Sequence, residues 1–99
     1  MKPFVLTRKA VSDLHAIARY TEQRWGSEQR NLYLRQLDDA FHLLARSPLA
    51  GRACDDIRSG YRKLPQGSHV IFYRSGDNLV EIVRILHRSM DVDSILSGE

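Results

Sequence analysis

Cysteine is almost missing from this chain of 99 residues. Cys54 stands alone, so no internal disulfide can form and no thiolate cluster can hold a metal. The four histidines, His15, His42, His69 and His87, lie far apart without ligand spacing, so neither a metal site nor a cofactor is expected. Long apolar runs are missing too. Nothing approaches the roughly 20 residues of a membrane span. Met1-Lys2-Pro3-Phe4-Val5-Leu6 is too short for a signal peptide and runs straight into Thr7-Arg8-Lys9. A reducing, cytoplasmic setting is the expectation. No glycine-rich phosphate loop, Ser-His-Asp order or metal box occurs. Repeats, low-complexity tracts and linkers are also lacking, which leaves one domain over residues 1–99. Nor does one sign of charge dominate: 15 Lys and Arg against 12 Asp and Glu give +3. That balance permits nucleic acid or an acidic protein as partner and demands neither.

What is present is an ordinary globular composition, 42% hydrophobic and 27% charged. Phe4-Val5-Leu6 predicts a short strand, and Thr7 is placed to cap a helix starting at Arg8. Val11, Leu14, Ile17 and Ala18 recur there at helical spacing beside Ala10, with Asp13, Arg19 and Glu22 on the other side. Tyr20 and Trp25 close this helix and are expected in the core or at the hairpin tip. Gly26 ends it, and Ser27 is expected to cap a second helix carrying Tyr33, Leu37, Ala40, Phe41 and Leu44 on one stripe. Ser47-Pro48 stops that helix. Almost nothing joins the two, so they form an antiparallel hairpin.

The second half changes character. Leu49 to Asp56 is expected as a loop, Tyr61 to Leu64 as a strand and Pro65-Gln66-Gly67-Ser68 as a turn. His69 to Arg74 and Leu79 to His87 are rich in β-branched and aromatic residues and predict two more strands. The tail from Ser89 to Leu96 ends in a helical turn at most. The layout is α+β, in the order β-α-α-β-β-β, with the helical hairpin packed on a small antiparallel sheet.

Between Arg46 and Arg88 eight basic residues (Arg46, Arg52, Arg58, Arg62, Lys63, Arg74, Arg84, Arg88) face four acidic ones (Asp55, Asp56, Asp77, Glu81). Strand alternation puts Arg84 with Val80, Ile82 and Leu86, and Glu81 and His87 with Leu79, Val83 and Ile85. A charge inside an apolar strand needs a partner once water leaves. Glu81 is expected to pair with an arginine of a neighbouring strand, and Arg84 to reach a cleft or a partner's carboxylate. His87 with Arg88 suits acid–base work on a phosphodiester, or a half-buried strand-end histidine bonded to backbone. No second acid or base stands near His87 in sequence, which favours the structural role. His69 begins a strand and is expected to be structural. Cys54 beside two aspartates has no reason for a lowered pKa.

Leu6-Thr7-Arg8-Lys9-Ala10, Asp13-Leu14, Ile17, Tyr20-Thr21 and Trp25-Gly26 resemble the opening of ParE toxins, of the RelE/ParE superfamily of type II toxin–antitoxin systems. So do Pro48 to Arg52, Ile57 to Arg62, Ser68 to Arg74 and the closing Ile85-Leu86-His87-Arg88-Ser89-Met90-Asp91. The resemblance covers nearly the whole chain. It implies a toxin that inhibits DNA gyrase without hydrolytic activity of its own, neutralised by a ParD-like antitoxin in a heterotetramer or larger complex. Operator DNA would then be met only through the antitoxin. The RelE branch, a ribosome-dependent messenger RNA endoribonuclease, is the alternative. The tyrosine that branch implies after the last strand is absent, with Met90-Asp91 in its place. Carried onto this sequence, the resemblance suggests antitoxin contacts at Leu14, Ile17, Leu37, Arg58, Arg62 and Arg74. It suggests target contacts at Arg84, His87, Arg88 and Met90.

Overall fold

The computed structural model describes residues 3–96. Its elements are β1 (Phe4–Leu6), α1 (Arg8–Trp25), α2 (Ser27–Arg46), β2 (Arg52–Ala53), β3 (Tyr61–Gln66), β4 (His69–Ser75), β5 (Val80–His87) and α3 (Val92–Leu96). The expected order is there, with one short addition, β2 inside the expected loop, and the tail ends in the helical turn α3.

Thr7 fixes the start of α1. Its extended backbone lets the side-chain oxygen accept the Ala10 N–H at 3.0 Å. The same hydroxyl donates to the Val83 carbonyl at 2.8 Å, and the Thr7 N–H donates to Ile82. One residue therefore caps the helix and ties it to β5. Gly26, at φ +94°, both ends α1 and precedes α2. Ser27 is not the cap that was expected. It is the first residue of α2, and its hydroxyl reaches back to Glu22. On α2, Leu37, Ala40, Phe41, Leu44 and Ala45 are buried, and the helix stops at Ser47 before Pro48.

The strand order is β1-β5-β4-β3-β2. β3, β4 and β5 form the expected antiparallel meander. β1, however, lies parallel to β5, from Phe4 opposite Val80 to Leu6 opposite Ile82, so the sheet is mixed. The helical hairpin is what carries the chain away from β1 before the meander begins. β3 runs on through Pro65 to Gln66, where a turn was expected, and the reversal is left to Gly67 and Ser68. Pro65 is tolerated because β2 reaches only Lys63, so no strand outside needs its missing N–H. Gly67 is needed twice over. Its φ is +59°, and a Cβ there would come within 2.6 Å of the Tyr33 ring.

A bulge resets the faces of β5. Tyr73 is opposite Ile82 but Phe72 is opposite Arg84, so Val83 is an extra residue. Val80, Ile82 and Ile85 accordingly pack with Ile71 and Tyr73 in the core beneath the helices. Val83 and Leu86 join Phe72, Tyr61, Cys54 and Leu96 in a second cluster. The strict alternation expected from sequence, which put Ile85 with Val83 and grouped Leu86 with Ile82, fails at this point. No helix among the described residues is long and apolar enough to cross a membrane.

Candidate functional site

β1 covers β5 only as far as Ile82, and beyond that the flank of α1 takes over. Asp13 closes the gap. Its carboxylate accepts from Arg84 Nε and Nη2, both at 2.9 Å, and from the Ile85 backbone N–H at 2.9 Å. The side chains are only 17% and 14% exposed, so this two-pronged pair is shielded from water. Asp13 thus does not belong to a solvated face of α1. Arg84 finds its carboxylate within the chain and not on a partner. Glu81 pairs with Arg74 on the neighbouring strand, as expected, in a more exposed setting.

Further along α1 the helix and the sheet end part and leave an open groove of about 600 Å³. Ala16, Ile17, Tyr20, Thr21 and Trp25 form its helical wall, and Tyr33 of α2 its end. Ser68, His69, His87, Ser89 and Met90 line the other side. Ile17 is buried and anchors the wall to the core, but Tyr20 is 60%, Trp25 64% and Met90 48% exposed. Of the two places expected for Tyr20 and Trp25, the core is therefore excluded, while Trp25, the last residue of α1 before Gly26, is at the hairpin tip. They stand off the buried stripe of Ala10, Ile17 and Thr21 and face solvent. The Arg24 guanidinium lies 5.7 Å from the centre of the Trp25 ring, a cation–π distance.

At the head of the groove three rings meet. His69 and His87 are directly opposite on β4 and β5, with ring centres 5.4 Å apart, edge to face. The Tyr33 hydroxyl accepts from the Ser68 N–H and sits 3.0 Å from the Gln66 carbonyl and 2.6 Å from His69 Nδ1. All four groups are satisfied when Nδ1–H of His69 donates to Tyr33 and Tyr33 donates to Gln66. His87 Nδ1 is turned onto Ser89, whose N–H lies 3.2 Å and hydroxyl 2.8 Å away. Burial holds His69 below the ordinary histidine pKa, and the neighbouring His87 pushes it the same way, against an opposing pull from Asp13. Burial raises the Tyr33 pKa, which nearby backbone donors and Arg88 offset only in part.

A histidine neighbour for His87 thus exists, His69 of β4, itself hydrogen-bonded to Tyr33 of α2, and neither is visible as a motif. Yet the two imidazoles touch, and no phosphate fits between rings 5.4 Å apart. Among the described residues no carboxylate lines the groove. Cys54 is buried and its thiol pKa is raised, chiefly by desolvation. Among the described residues no cluster of three metal-ligating side chains occurs.

The residues suggested for antitoxin contact do not form one surface. Ile17 lines the groove, Leu14 is half-buried against the core, and Leu37 is fully buried and out of any partner's reach. Arg62 donates to the Gly51 and Leu49 carbonyls, Arg58 lies against Tyr61, and Arg74 is held by Glu81. Of the residues suggested for target contact, His87 and Met90 line the groove, and Arg88, its Nε on the Gly67 carbonyl, is exposed beside them. Arg84 is set apart from these, locked on Asp13.

The sequence matches, over residues 4–92, the family described as ParE toxin of type II toxin-antitoxin system, parDE. It is 47% identical over 91 residues to Toxin ParE1 of Mycobacterium tuberculosis, covering 91% of this chain and 93% of that protein. It is also 47% identical to Toxin ParE1 of Caulobacter vibrioides, covering 92% and 94%. Toxin ParE of Escherichia coli is 30% identical, covering 93% and 90%. Among solved structures the fold resembles a chain of the chromosomal ParDE TA system from P. aeruginosa. There the TM-score is 0.77 at 22% identity, with 88% of this chain and 96% of that one covered. On this evidence the chain belongs to the ParE toxin family of type II toxin–antitoxin systems.

Proposed function

We propose that this ParE-family toxin acts by inhibiting DNA gyrase, and that a ParD-like antitoxin silences it by wrapping its exposed surfaces. The family match across residues 4–92 carries the reading. The geometry is in keeping with it, because the groove offers exposed aromatic side chains, and the Tyr33–His69 hydrogen bond at its head lies within the fold. Mutual contact of His69 and His87 speaks against cleavage between them. An antitoxin tail that folds as it binds would cover such a surface at the cost of its own ordering. A dimeric antitoxin would give a heterotetramer.

The test is induction of the toxin alone and together with its antitoxin. Growth arrest with accumulating chromosome breaks, relieved by the antitoxin, is the expected result. Arrest with intact chromosomes and messenger RNA cut in a translation extract would replace gyrase inhibition by the ribonuclease mechanism. Growth without impairment would leave only a co-repressor role with the antitoxin.

A further inference from the structure

We infer that the outward crest of α1 is a contact surface for the phosphate backbone of duplex DNA, gripped without regard to sequence. The inference rests on the gyrase reading only for where that duplex is met, on the DNA that the target enzyme holds.

Spacing defines the crest. Ala10, Leu14, Ile17 and Thr21 turn α1 toward the core. Arg8, Ser12, His15 and Arg19, spaced by four, three and four positions, share the line on the opposite side, and all of them are exposed. From Arg8 to Arg19 that line is about 16 Å long at a helical rise of about 1.5 Å per residue. None of these residues lines the groove, so a segment seated there leaves the crest open.

The chemistry is one-sided. Two guanidinium groups, a hydroxyl and an imidazole all donate hydrogen bonds, and no carboxylate stands among them. Arg8 and Arg19 form no ion pair among the described residues. The two acids of α1 are engaged elsewhere, Asp13 by Arg84 and the Ile85 N–H, Glu22 by Arg30 and Ser27. They are thus withdrawn from a helix with four basic residues, Arg8, Lys9, Arg19 and Arg24. The neighbouring α2 differs. There Arg30, Arg35 and Arg46 are matched in number by Glu28, Asp38 and Asp39. Nor does the helix benefit from Arg8. It lies in the first turn, where the helix dipole disfavours a cation and no acidic residue offsets it.

The crest holds no apolar or aromatic anchor of the kind that centres a protein interface. Phosphate contacts need none, being made by arginine, serine and other donors without sequence information. Duplex DNA carries a charge about every 1.7 Å of its axis, so a line this long passes enough phosphates to meet both arginines.

The experiment is fluorescence anisotropy of a labelled duplex of about 20 base pairs with the full chain, between about 50 and 200 mM salt. Wild-type affinity should fall about tenfold over that range, as for two neutralised phosphates. Arg8→Gln and Arg19→Gln should each lower the salt slope by about one. The double variant should bind at least tenfold more weakly at the lowest salt. Arg35→Gln, which removes the same charge from α2, should change neither quantity. An equal loss in Arg35→Gln would reduce the effect to net charge and overturn the proposal. So would absence of duplex binding at the lowest salt, or poly-L-glutamate bound as tightly as the duplex, which would assign the crest to an acidic protein. In a gyrase supercoiling assay the double variant should inhibit at least tenfold less than wild type while still binding the antitoxin. Unchanged inhibition, with operator affinity of the toxin–antitoxin complex lost instead, would move the crest to operator DNA and overturn its placement on gyrase. The two readings fail separately. Wild-type protein that binds duplex but leaves supercoiling untouched sinks gyrase inhibition, and wild-type protein that inhibits gyrase without binding duplex sinks the crest.

Discussion

The two halves of α1 do opposite things. The first half, from the Thr7 cap to Asp13, is sewn into β5 by Thr7 and Asp13. The second half, from Ala16 to Trp25, keeps Ile17 and Thr21 against the core but turns Tyr20 and Trp25 outward. In the first half the charge of Asp13 is spent on the fold. In the second, neither the aromatic rings nor the nearby cations are needed to hold the structure together. Binding surface is therefore sought where the protein leaves its own groups unspent. Arg84, the most conspicuous residue of β5 in the sequence, is excluded by the same logic.

The comparison breaks most visibly at Asp13. Asp13→Ala removes the partner of a shielded arginine and the acceptor of the Ile85 N–H. It should cost about 3 kcal/mol, as for other broken buried pairs. A fall in Tm of roughly 10–20 °C follows for a domain of this size, and calorimetry would show it. Next comes Tyr33→Phe at the boundary between the halves. Losing the hydroxyl leaves the Gln66 carbonyl and the Ser68 N–H without that partner, at about 1–2 kcal/mol, measurable by urea denaturation. Thr7→Ala should cost about 1 kcal/mol through the lost cap, again by denaturant midpoint.

The effect of pH is smaller. The folded-state pKa of His69 is depressed, so its contribution is complete above the unfolded value of about 6.5. As pH drops below that, the unfolded chain binds the proton first and stability falls until the folded pKa has been passed. Wild-type protein should therefore lose more stability between pH 7.5 and 5.5 than His69→Gln does. Equal losses would remove His69 from the account. Last, Trp25→Ala should change stability by no more than about 0.5 kcal/mol. A large loss would mean that the outer half of α1 is structural after all.

Much of this was legible in the sequence because local signals agreed. The Thr7 cap, the Gly26 break, the stripe of Leu37, Ala40, Phe41 and Leu44 on α2 and the Ser47-Pro48 stop are each written in residues close together. The face assignments of β5 were not, since they depend on one extra residue, Val83, whose effect appears only when β4 is laid alongside. Asp13 looked like a solvated helix residue because its partner lies 71 positions away. The groove was hidden for the same reason: α1, α2, β4 and β5 each supply part of it. A partial signal existed in Tyr20 and Trp25, which fall off the buried stripe of α1. Large aromatic residues outside a helix's own stripe ask for another surface to meet.

The most direct test of the functional claim is a supercoiling assay with purified gyrase and relaxed plasmid. Free toxin is added in rising amounts, with and without the purified antitoxin. Gyrase inhibition predicts loss of supercoiled product, with cleaved plasmid accumulating and both effects abolished by the antitoxin. Supercoiling that continues unchanged at a stoichiometric excess of folded toxin would contradict it.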